Sequence, residues 1–221
     1  MSISFVSDLH YESNKFVDLK NIDNSDVLIL CGDIITGNKE NNTLYVSWFN
    51  RLKTQWKYVI HVNGNHEAYN TSKFNEGMSS IIIANIHFVY GPLWTNLTPI
   101  DCIDLNDPKR NIQTCYLNMR ERLNKFSKYC SEQHDIAKQY IIDYVVSHPH
   151  DTIVIATHFP PIIECSNEFD HPYFINHDTY NFSNVPYWIY GHTHINKKDF
   201  KKNNTKYVCN QCSNIVKTIN L

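Results

Sequence analysis

Polar residues that could hold metal ions follow short apolar runs at five places in the sequence. Each of these side chains offers an oxygen or an imidazole nitrogen, and none is a cysteine. Borderline transition metals such as Mn, Fe, Zn, Ni and Co bind ligands of this kind. The residues are Asp8, His10, Asp33, Asn65, His66, His158, His192 and His194.

The spacing within two of these motifs directs pairs of ligands to one site. Alternate residues of an extended segment point the same way, so Asp8 and His10 can serve one site, and so can His192 and His194. The whole set exceeds the four ligands of a tetrahedral ion. We therefore expect two metal ions that share a bridging carboxylate.

The apolar runs that precede these residues have the length of buried strands, and most are rich in Val and Ile. The runs cover residues 3–6, 27–30, 58–62, 152–156 and 187–190. Helical patterns lie between them at 43–56 and 131–147, with a weaker one at 110–130, and the tail 207–221 resembles two more short strands. Strands that alternate with helices predict an α/β or sandwiched α+β fold built on βαβ units.

The helical patterns also predict which residues are buried. In 43–56, the residues Leu44, Trp48, Leu52 and Trp56 recur at steps of four and form one apolar face. In 131–147, Ser131 is the expected N-cap. The apolar side of that second helix is predicted to contain Ile136, Tyr140, Ile141, Tyr144 and Val145.

Two stretches, 91–111 and 160–186, fit no simple element. Both follow strand-like runs, so we interpret them as loop insertions over one end of the sheet, where open α/β sheets bind ligands. Their aromatic residues either stack on a base or pack the loops onto the core. These aromatic residues are Trp94, Tyr173, Phe174 and Tyr180.

Composition limits the classes of function. The 221 residues include 20 basic and 22 acidic ones, which excludes nucleic-acid binding driven by bulk charge. The sequence contains neither an apolar run of membrane-spanning length nor a secretory signal, and its seven cysteines are scattered. We predict one cytoplasmic domain over 1–221, without a membrane partner. The Cys209-x-x-Cys212 pair lacks two further zinc ligands and is interpreted as strand cysteines.

Taken together, the motifs resemble the calcineurin-like metallophosphoesterase family. Its blocks occur in order as Asp8-x-His10, Gly32-Asp33, Gly64-Asn65-His66-Glu67, His158 and Gly191-His192-Thr193-His194. Small single-domain members from bacteria and phages are the most similar, because they often carry Leu-Trp-Thr and Thr-His-x-Pro-Pro, found here at 93–95 and 157–161. The resemblance implies a four-layer α/β/β/α sandwich with a dimetal site at its strand ends.

The resemblance also implies a role for each residue. One metal would be held by Asp8, His10, Asp33 and His194, and the other by Asp33, Asn65, His158 and His192, with Asp33 bridging. His66 is similar to the family's catalytic histidine, which lies beside the substrate and off the metals. Glu67 either orients its neighbours or is a solvated residue at a helix start. No residue is assigned to substrate binding.

The expected activity is hydrolysis of a phosphodiester or phosphomonoester by water that two divalent cations activate. Protein Ser/Thr phosphatases of the superfamily carry an Asp and an Arg after the Gly-Asp block, and residues 34–37 contain neither. This difference favours a phosphorylated small molecule or nucleotide as the substrate. One alternative is a nuclease or nucleotide pyrophosphatase, and another is a non-catalytic metal-binding scaffold.

Overall fold

The structure is a computed structural model that describes residues 1–12, 16–37, 42–68, 77–96, 116–166 and 176–221, with only the backbone of 116–126. The strands are β1 (Ser2–Val6), β2 (Val27–Cys31), β3 (Tyr58–Val62), β4 (Ser79–Ile83), β5 (Ile86–Gly91), β6 (Thr152–Thr157), β7 (Tyr187–Tyr190), β8 (Phe200–Lys202), β9 (Thr205–Cys209) and β10 (Lys217–Asn220). The α-helices are α1 (Thr43–Gln55), α2 (Asn65–Ala68) and α3 (Tyr116–Ser147), and Ile163–Cys165 forms a short 3-10 helix.

The strands form two mixed sheets. The first has the order β10-β1-β2-β3, in which β1, β2 and β3 are parallel and β10 is antiparallel. The second has the order β4-β5-β6-β7-β9-β8, in which only the edge strands β4 and β8 are antiparallel. The predicted tail strands exist as β9 and β10, but they belong to different sheets.

Three apolar layers hold the sheets and helices together. Between the sheets, Ile29 of β2 packs in one cluster with Phe88 of β5 and Val154 of β6. On the outer face of the first sheet, Trp48 of α1 and Leu28 share a second cluster. The outer face of the second sheet is covered by α3 in the same way. This arrangement confirms the four-layer α/β/β/α sandwich.

Helix α1 begins one residue after Asn42, whose side-chain oxygen accepts a hydrogen bond from the Tyr45 backbone N–H at 2.9 Å. Trp48 and Leu52 are buried as predicted, but Leu44 is 68% exposed and Tyr45 takes its place. A repeat of four residues drifts away from the 3.6-residue turn, so Leu44, the first member of the predicted face, lies outside the contact stripe, whereas Trp56 at its other end is buried.

The two helical patterns at 110–130 and 131–147 form a single helix in the described residues, α3 (Tyr116–Ser147). The prediction that Ser131 is an N-cap was wrong. The sequence from 116 to 147 contains neither Gly nor Pro, so nothing interrupts the helix there. Ile136 is 61% exposed, whereas Ile141 and Val145 are buried as predicted.

A buried histidine on α3 anchors the neighbouring loops. His134 Nδ1 lies 3.0 Å from the Leu93 carbonyl oxygen, and Nε2 lies 2.8 Å from Asp178 Oδ2. Burial lowers the pKa of His134, but Asp178 and the backbone carbonyls raise it above its usual range. Despite burial, His134 and Lys138 lower the pKa of Asp178 to about 2. Each member of this buried pair therefore stabilises the charged form of the other.

We expect the Asp178→Asn variant to lose stability in a pH-dependent way. The raised pKa of His134 means that the ion pair is fully formed below pH about 6.5 and is lost as the pH rises through the folded-state value. The loss in unfolding free energy should be about 3 kcal/mol at pH 6 and smaller at pH 9, where the bond to Lys138 remains. Urea unfolding measures both values, with exposed Asp143→Asn as the control. Equal losses at the two pH values would contradict a contribution from the titration of His134 between them.

Among the described residues, no helix is both long and apolar enough to cross a bilayer.

Candidate metal centre

The predicted ligands lie at the carboxyl ends of parallel strands in both sheets. Asp8 and His10 follow β1, Asp33 follows β2, and the other ligands follow β3, β6 and β7. Ligand atoms of one group lie within 4.8 Å of one another, as do those of a second group. The groups are Asp8, His10, Asp33 and His194, and Asp33, His158 and His192. Asp33 belongs to both, which is the position that a bridging carboxylate requires.

Left-handed backbone turns these side chains inward. The residues with positive φ include Asp8 (56°), Asp33 (52°) and His192 (75°). Residues other than glycine rarely adopt this backbone conformation, which costs roughly 1–3 kcal/mol for each residue. Surrounding hydrogen bonds must therefore stabilise it. Asp8 N–H donates to the Gly32 carbonyl at 2.9 Å, and Gly191 N–H donates to the His158 carbonyl at 2.9 Å.

The glycines of two motifs leave room for the ligands. Gly32 has φ +88°, and a Cβ there would lie 2.3 Å from His158 Nδ1. A Cβ on Gly64 would lie 2.1 Å from Asp33 Oδ1. Both distances are shorter than any real contact, so a side chain at either position would displace a ligand of the second group.

The second group presents several electron-pair donors to one point. His158 Nδ1 lies 3.0 Å from the Cys31 carbonyl oxygen, which can only accept, so Nδ1 carries a proton. Nε2 of the same ring lies 3.1 Å from Asn65 Oδ1 and 3.1 Å from His192 Nδ1, and 3.4 Å from Asp33 Oδ1. A cation satisfies this convergence of oxygen and nitrogen atoms, so the donor set fits a metal ion.

The electrostatics of the site also suit a cation. Burial lowers the pKa of His158, yet Asp33 and Asp8 raise it to about 9. Burial raises the pKa of Asp8, but His194 and His158 bring it below its usual range. The carboxylates therefore impose a strongly negative potential on the neighbouring imidazoles.

The first group is more open to solvent. His10 Nε2 lies 3.0 Å from His194 Nε2 and 4.0 Å from Asp33 Oδ2, and His194 Nε2 lies 3.4 Å from Asp8 Oδ1. Asp8 also accepts the His192 backbone N–H at 3.1 Å. The two groups are thus joined by the backbone of one motif as well as by the Asp33 side chain.

Glu67 orients its neighbours. Its carboxylate is buried and accepts backbone N–H groups from Asp33 at 2.9 Å, Ile34 at 2.7 Å and Gly64 at 2.7 Å. Burial raises the pKa of Glu67, but His61 and the backbone donors lower it to about 2. The interpretation of Glu67 as a solvated residue at a helix start is therefore wrong.

Sequence reasoning missed Glu12. Its Oε1 lies 3.1 Å from His10 Nδ1 and 2.8 Å from His66 Nδ1, and its Oε2 accepts the Thr36 N–H at 3.1 Å. These are hydrogen-bond distances, so we interpret Glu12 as an acceptor for both rings, with His10 Nε2 left to face the first group. The sequence signal that could have identified Glu12 is the alternation Asp8-x-His10-x-Glu12, which extends the recognised motif by two residues.

Gln211 was also missed, and no motif marks it. Its buried side chain accepts the His194 N–H at 2.8 Å and donates to Thr193 Oγ1 at 2.9 Å and to the Ile195 carbonyl at 2.8 Å. It therefore fixes the loop after β7 that carries two of the ligands.

The described parts of the two loop insertions contact each other. Buried Asn176 donates to the carbonyls of Trp94 and Pro160, both at 3.0 Å. Trp94 packs against Phe159 with ring centroids 5.4 Å apart, and Tyr180 is buried against Trp188. These two aromatic residues therefore pack in the core and do not stack on a base. Tyr173 and Phe174 lie outside the described residues.

A four-layer sandwich whose strand ends gather two overlapping groups of Asp and His ligands defines the class of metal-dependent phosphoesterases. The family model described as calcineurin-like phosphoesterase matches residues 1–196. The chain therefore belongs to the calcineurin-like phosphoesterase family.

The relatives span nearly the whole chain. Uncharacterized protein L509 of Acanthamoeba polyphaga mimivirus is 26% identical over 245 residues, which cover 89% of this chain and 85% of that protein. The crystal structure of phosphopantetheinyl hydrolase from Mycobacterium tuberculosis has a TM-score of 0.57 at 15% identity and covers 95% of this chain and 88% of its own. The crystal structure of a dimetal phosphatase from Danio rerio has a TM-score of 0.53 at 16% identity, and the match covers 95% of this chain and 86% of that chain. The two structures share the fold.

Proposed function

We propose that the protein is a dinuclear phosphoesterase that hydrolyses phosphodiester or phosphomonoester bonds with a metal-activated water. The observation that carries this proposal is the position of Asp33 in both ligand groups, with Oδ2 3.9 Å from Nε2 of His66. A carboxylate shared by two groups suits two ions, and a histidine beside it suits proton transfer to or from a substrate.

In this proposal, the ligands divide into two sets that share Asp33. Asp8, His10, Asp33 and His194 would hold one ion, and Asp33, Asn65, His158 and His192 would hold the other. Their oxygen and imidazole donors suit Mn, Fe, Zn, Ni or Co. When bound, the ions supply an activated water at neutral pH and neutralise charge on the phosphoryl oxygens.

We assign His66 as the catalytic acid. Its side chain is 30% exposed, and its Nδ1 lies 2.8 Å from Glu12, so proton transfer falls to Nε2. Burial lowers the pKa of His66, but Glu12 and Asp33 raise it above its usual range. In this proposal, the ring carries a proton on Nε2 and donates it to the leaving oxygen.

The substrate proposed is a phosphorylated small molecule or a nucleotide. The segment after Asp33 reads Ile-Ile-Thr-Gly and carries no charge to grip a phosphoprotein. Arg51, which could bind a phosphate dianion in a bidentate manner, is instead paired at the surface with Asp18 at 2.8 Å. Arg110, the arginine nearest a loop insertion, lies outside the described residues.

Hydrolysis of bis-p-nitrophenyl phosphate and p-nitrophenyl phosphate tests this proposal. We expect turnover with Mn²⁺ and its loss in EDTA, and the ratio of the two rates separates a diesterase from a monoesterase. Absence of turnover with all five metals, in protein whose thermal unfolding remains cooperative, would contradict catalysis and support the scaffold alternative.

We expect Glu12→Gln to weaken catalysis in two separable ways. Replacing the charged acceptor for His10 Nδ1 with a neutral amide oxygen should lower metal affinity by roughly 10–100-fold, as for other partners of metal ligands. Loss of the negative charge beside His66 should lower the pKa of that imidazole, so the acid loses its proton at a lower pH. At saturating metal, the decline of activity with rising pH should therefore begin at a lower pH than in the wild type. Glu164→Gln, an exposed carboxylate paired with Lys202, is the control. An unchanged pH profile would contradict this role of Glu12.

A further inference from the structure

A second cluster of metal-ligating side chains lies at the opposite end of the larger sheet. His87 lies near the start of β5, His148 follows α3 directly, and Asp151 immediately precedes β6. One ligand atom from each lies within 4.8 Å of the other two. The length of β6 separates Asp151 from His158, a distance of about 20 Å at roughly 3.3 Å per residue. The cluster is therefore distinct from the candidate metal centre.

Both histidines of this cluster use Nδ1 to contact the same residue. His148 Nδ1 lies 2.8 Å from the Tyr144 carbonyl oxygen, which can only accept, so Nδ1 carries the proton and Nε2 has a lone pair. His87 Nδ1 lies 3.0 Å from the Tyr144 hydroxyl. Metal-binding histidines commonly make such a bond with their second nitrogen, because it fixes the tautomer and the ring orientation.

The spacing of the remaining atoms suits an ion between them. His87 Nε2 lies 3.8 Å from Asp151 Oδ2, which is too long for a hydrogen bond. Two ligands held at 2.0–2.2 Å in a tetrahedral zinc site lie about 3.4 Å apart, so a small side-chain adjustment would complete the geometry. The Asp151 side chain is 45% exposed and that of His87 is 9% exposed, which leaves one side of the cluster open to water.

We propose that His87, His148 and Asp151 bind a borderline transition-metal ion such as Zn²⁺, with solvent completing its coordination. The ion would join the end of α3 and the start of β6 to the neighbouring strand β5. The turn between α3 and β6 is held by two backbone hydrogen bonds. His148 N–H donates to the Val145 carbonyl at 3.3 Å, and Asp151 N–H donates to the His148 carbonyl at 3.2 Å. A bound ion stabilises the folded state alone, so this site contributes to stability and not to turnover.

Zinc content at equilibrium tests the site. Wild type, His148→Gln, Asp151→Asn and the control His150→Gln are dialysed against the same free Zn²⁺ concentration and their bound zinc is measured. His150 is exposed two residues beyond His148 and is absent from the cluster. We expect His148→Gln and Asp151→Asn each to hold one equivalent fewer than wild type and the control, with unchanged phosphoesterase turnover.

Thermal unfolding separates a lost ion from a damaged fold. In EDTA, we expect wild type and both site variants to share one Tm, and added Zn²⁺ to raise the Tm of the variants less than that of the wild type. Equal zinc content in wild type and both variants would overturn the proposal. So would an equal Zn²⁺-dependent rise in Tm.

Discussion

Replacing Asp33 with asparagine should remove both metal ions together and abolish phosphoester hydrolysis. Asp33 Oδ1 lies 3.4 Å from His158 Nε2 in one ligand group, and Oδ2 lies 4.0 Å from His10 Nε2 in the other. An amide offers one neutral oxygen where the carboxylate offers two charged ones, so it cannot serve both groups. Metal affinity should fall by more than about 100-fold, the upper effect of losing an outer partner. Turnover should fall by at least about 10³-fold, since residues that act as a unit fail together.

Metal content and activity of the same preparation test this expectation. The matched control is Asp18→Asn, an exposed carboxylate that pairs with Arg51 and should retain both ions and full turnover. The fold should survive, because the Asp33 backbone N–H donates to Glu67 whatever the side chain. A variant that keeps two equivalents of metal would refute the bridging role, and one that keeps a single equivalent would restrict Asp33 to one ion.

The positions of the candidate ligands could be predicted because the information is local. Each predicted strand ends where a polar motif begins, and parallel strands bring such ends together. Asp33 and His158 lie 125 positions apart, yet each directly follows or nearly follows its own apolar run. The sequence therefore predicted the strands that precede the candidate ligands and the convergence of their ends, but not the edge strands β4 and β8.

The features that sequence reasoning missed depend on tertiary contacts. Glu12 meets His66 across 54 positions and Gln211 meets His194 across 17, and neither Glu12 nor Gln211 belongs to a recognised motif. Ser131 resembles an N-cap locally, but α3 continues through it, and its neighbours Cys130 and His134 are buried by contacts distant in the sequence. Tyr45 is buried in place of Leu44 because contact with the sheet, and not spacing alone, selects the buried face.

Replacing His66 with asparagine should abolish turnover and leave the metals bound. His66 faces Asp33 at 3.9 Å but contributes no atom to either Asp33-containing ligand group. Loss of a general acid should reduce kcat by about 10²–10⁴-fold. His150→Asn, at an exposed histidine near the other end of the sheet, is the control for the fold and for metal content.

The leaving group distinguishes a proton donor from a residue that only stabilises charge. p-Nitrophenolate leaves readily without being protonated, whereas phenolate is a poorer leaving group that depends more on protonation. A general acid therefore contributes more to hydrolysis of the phenyl ester. We therefore expect the deficit of His66→Asn to be larger for phenyl phosphate esters than for the matching p-nitrophenyl esters. Equal deficits would mean that His66 stabilises charge on the phosphoryl oxygens and that its Nε2 proton does not move. Full activity with both esters would remove His66 from the reaction, because no role at the phosphoryl group survives the loss of its imidazole.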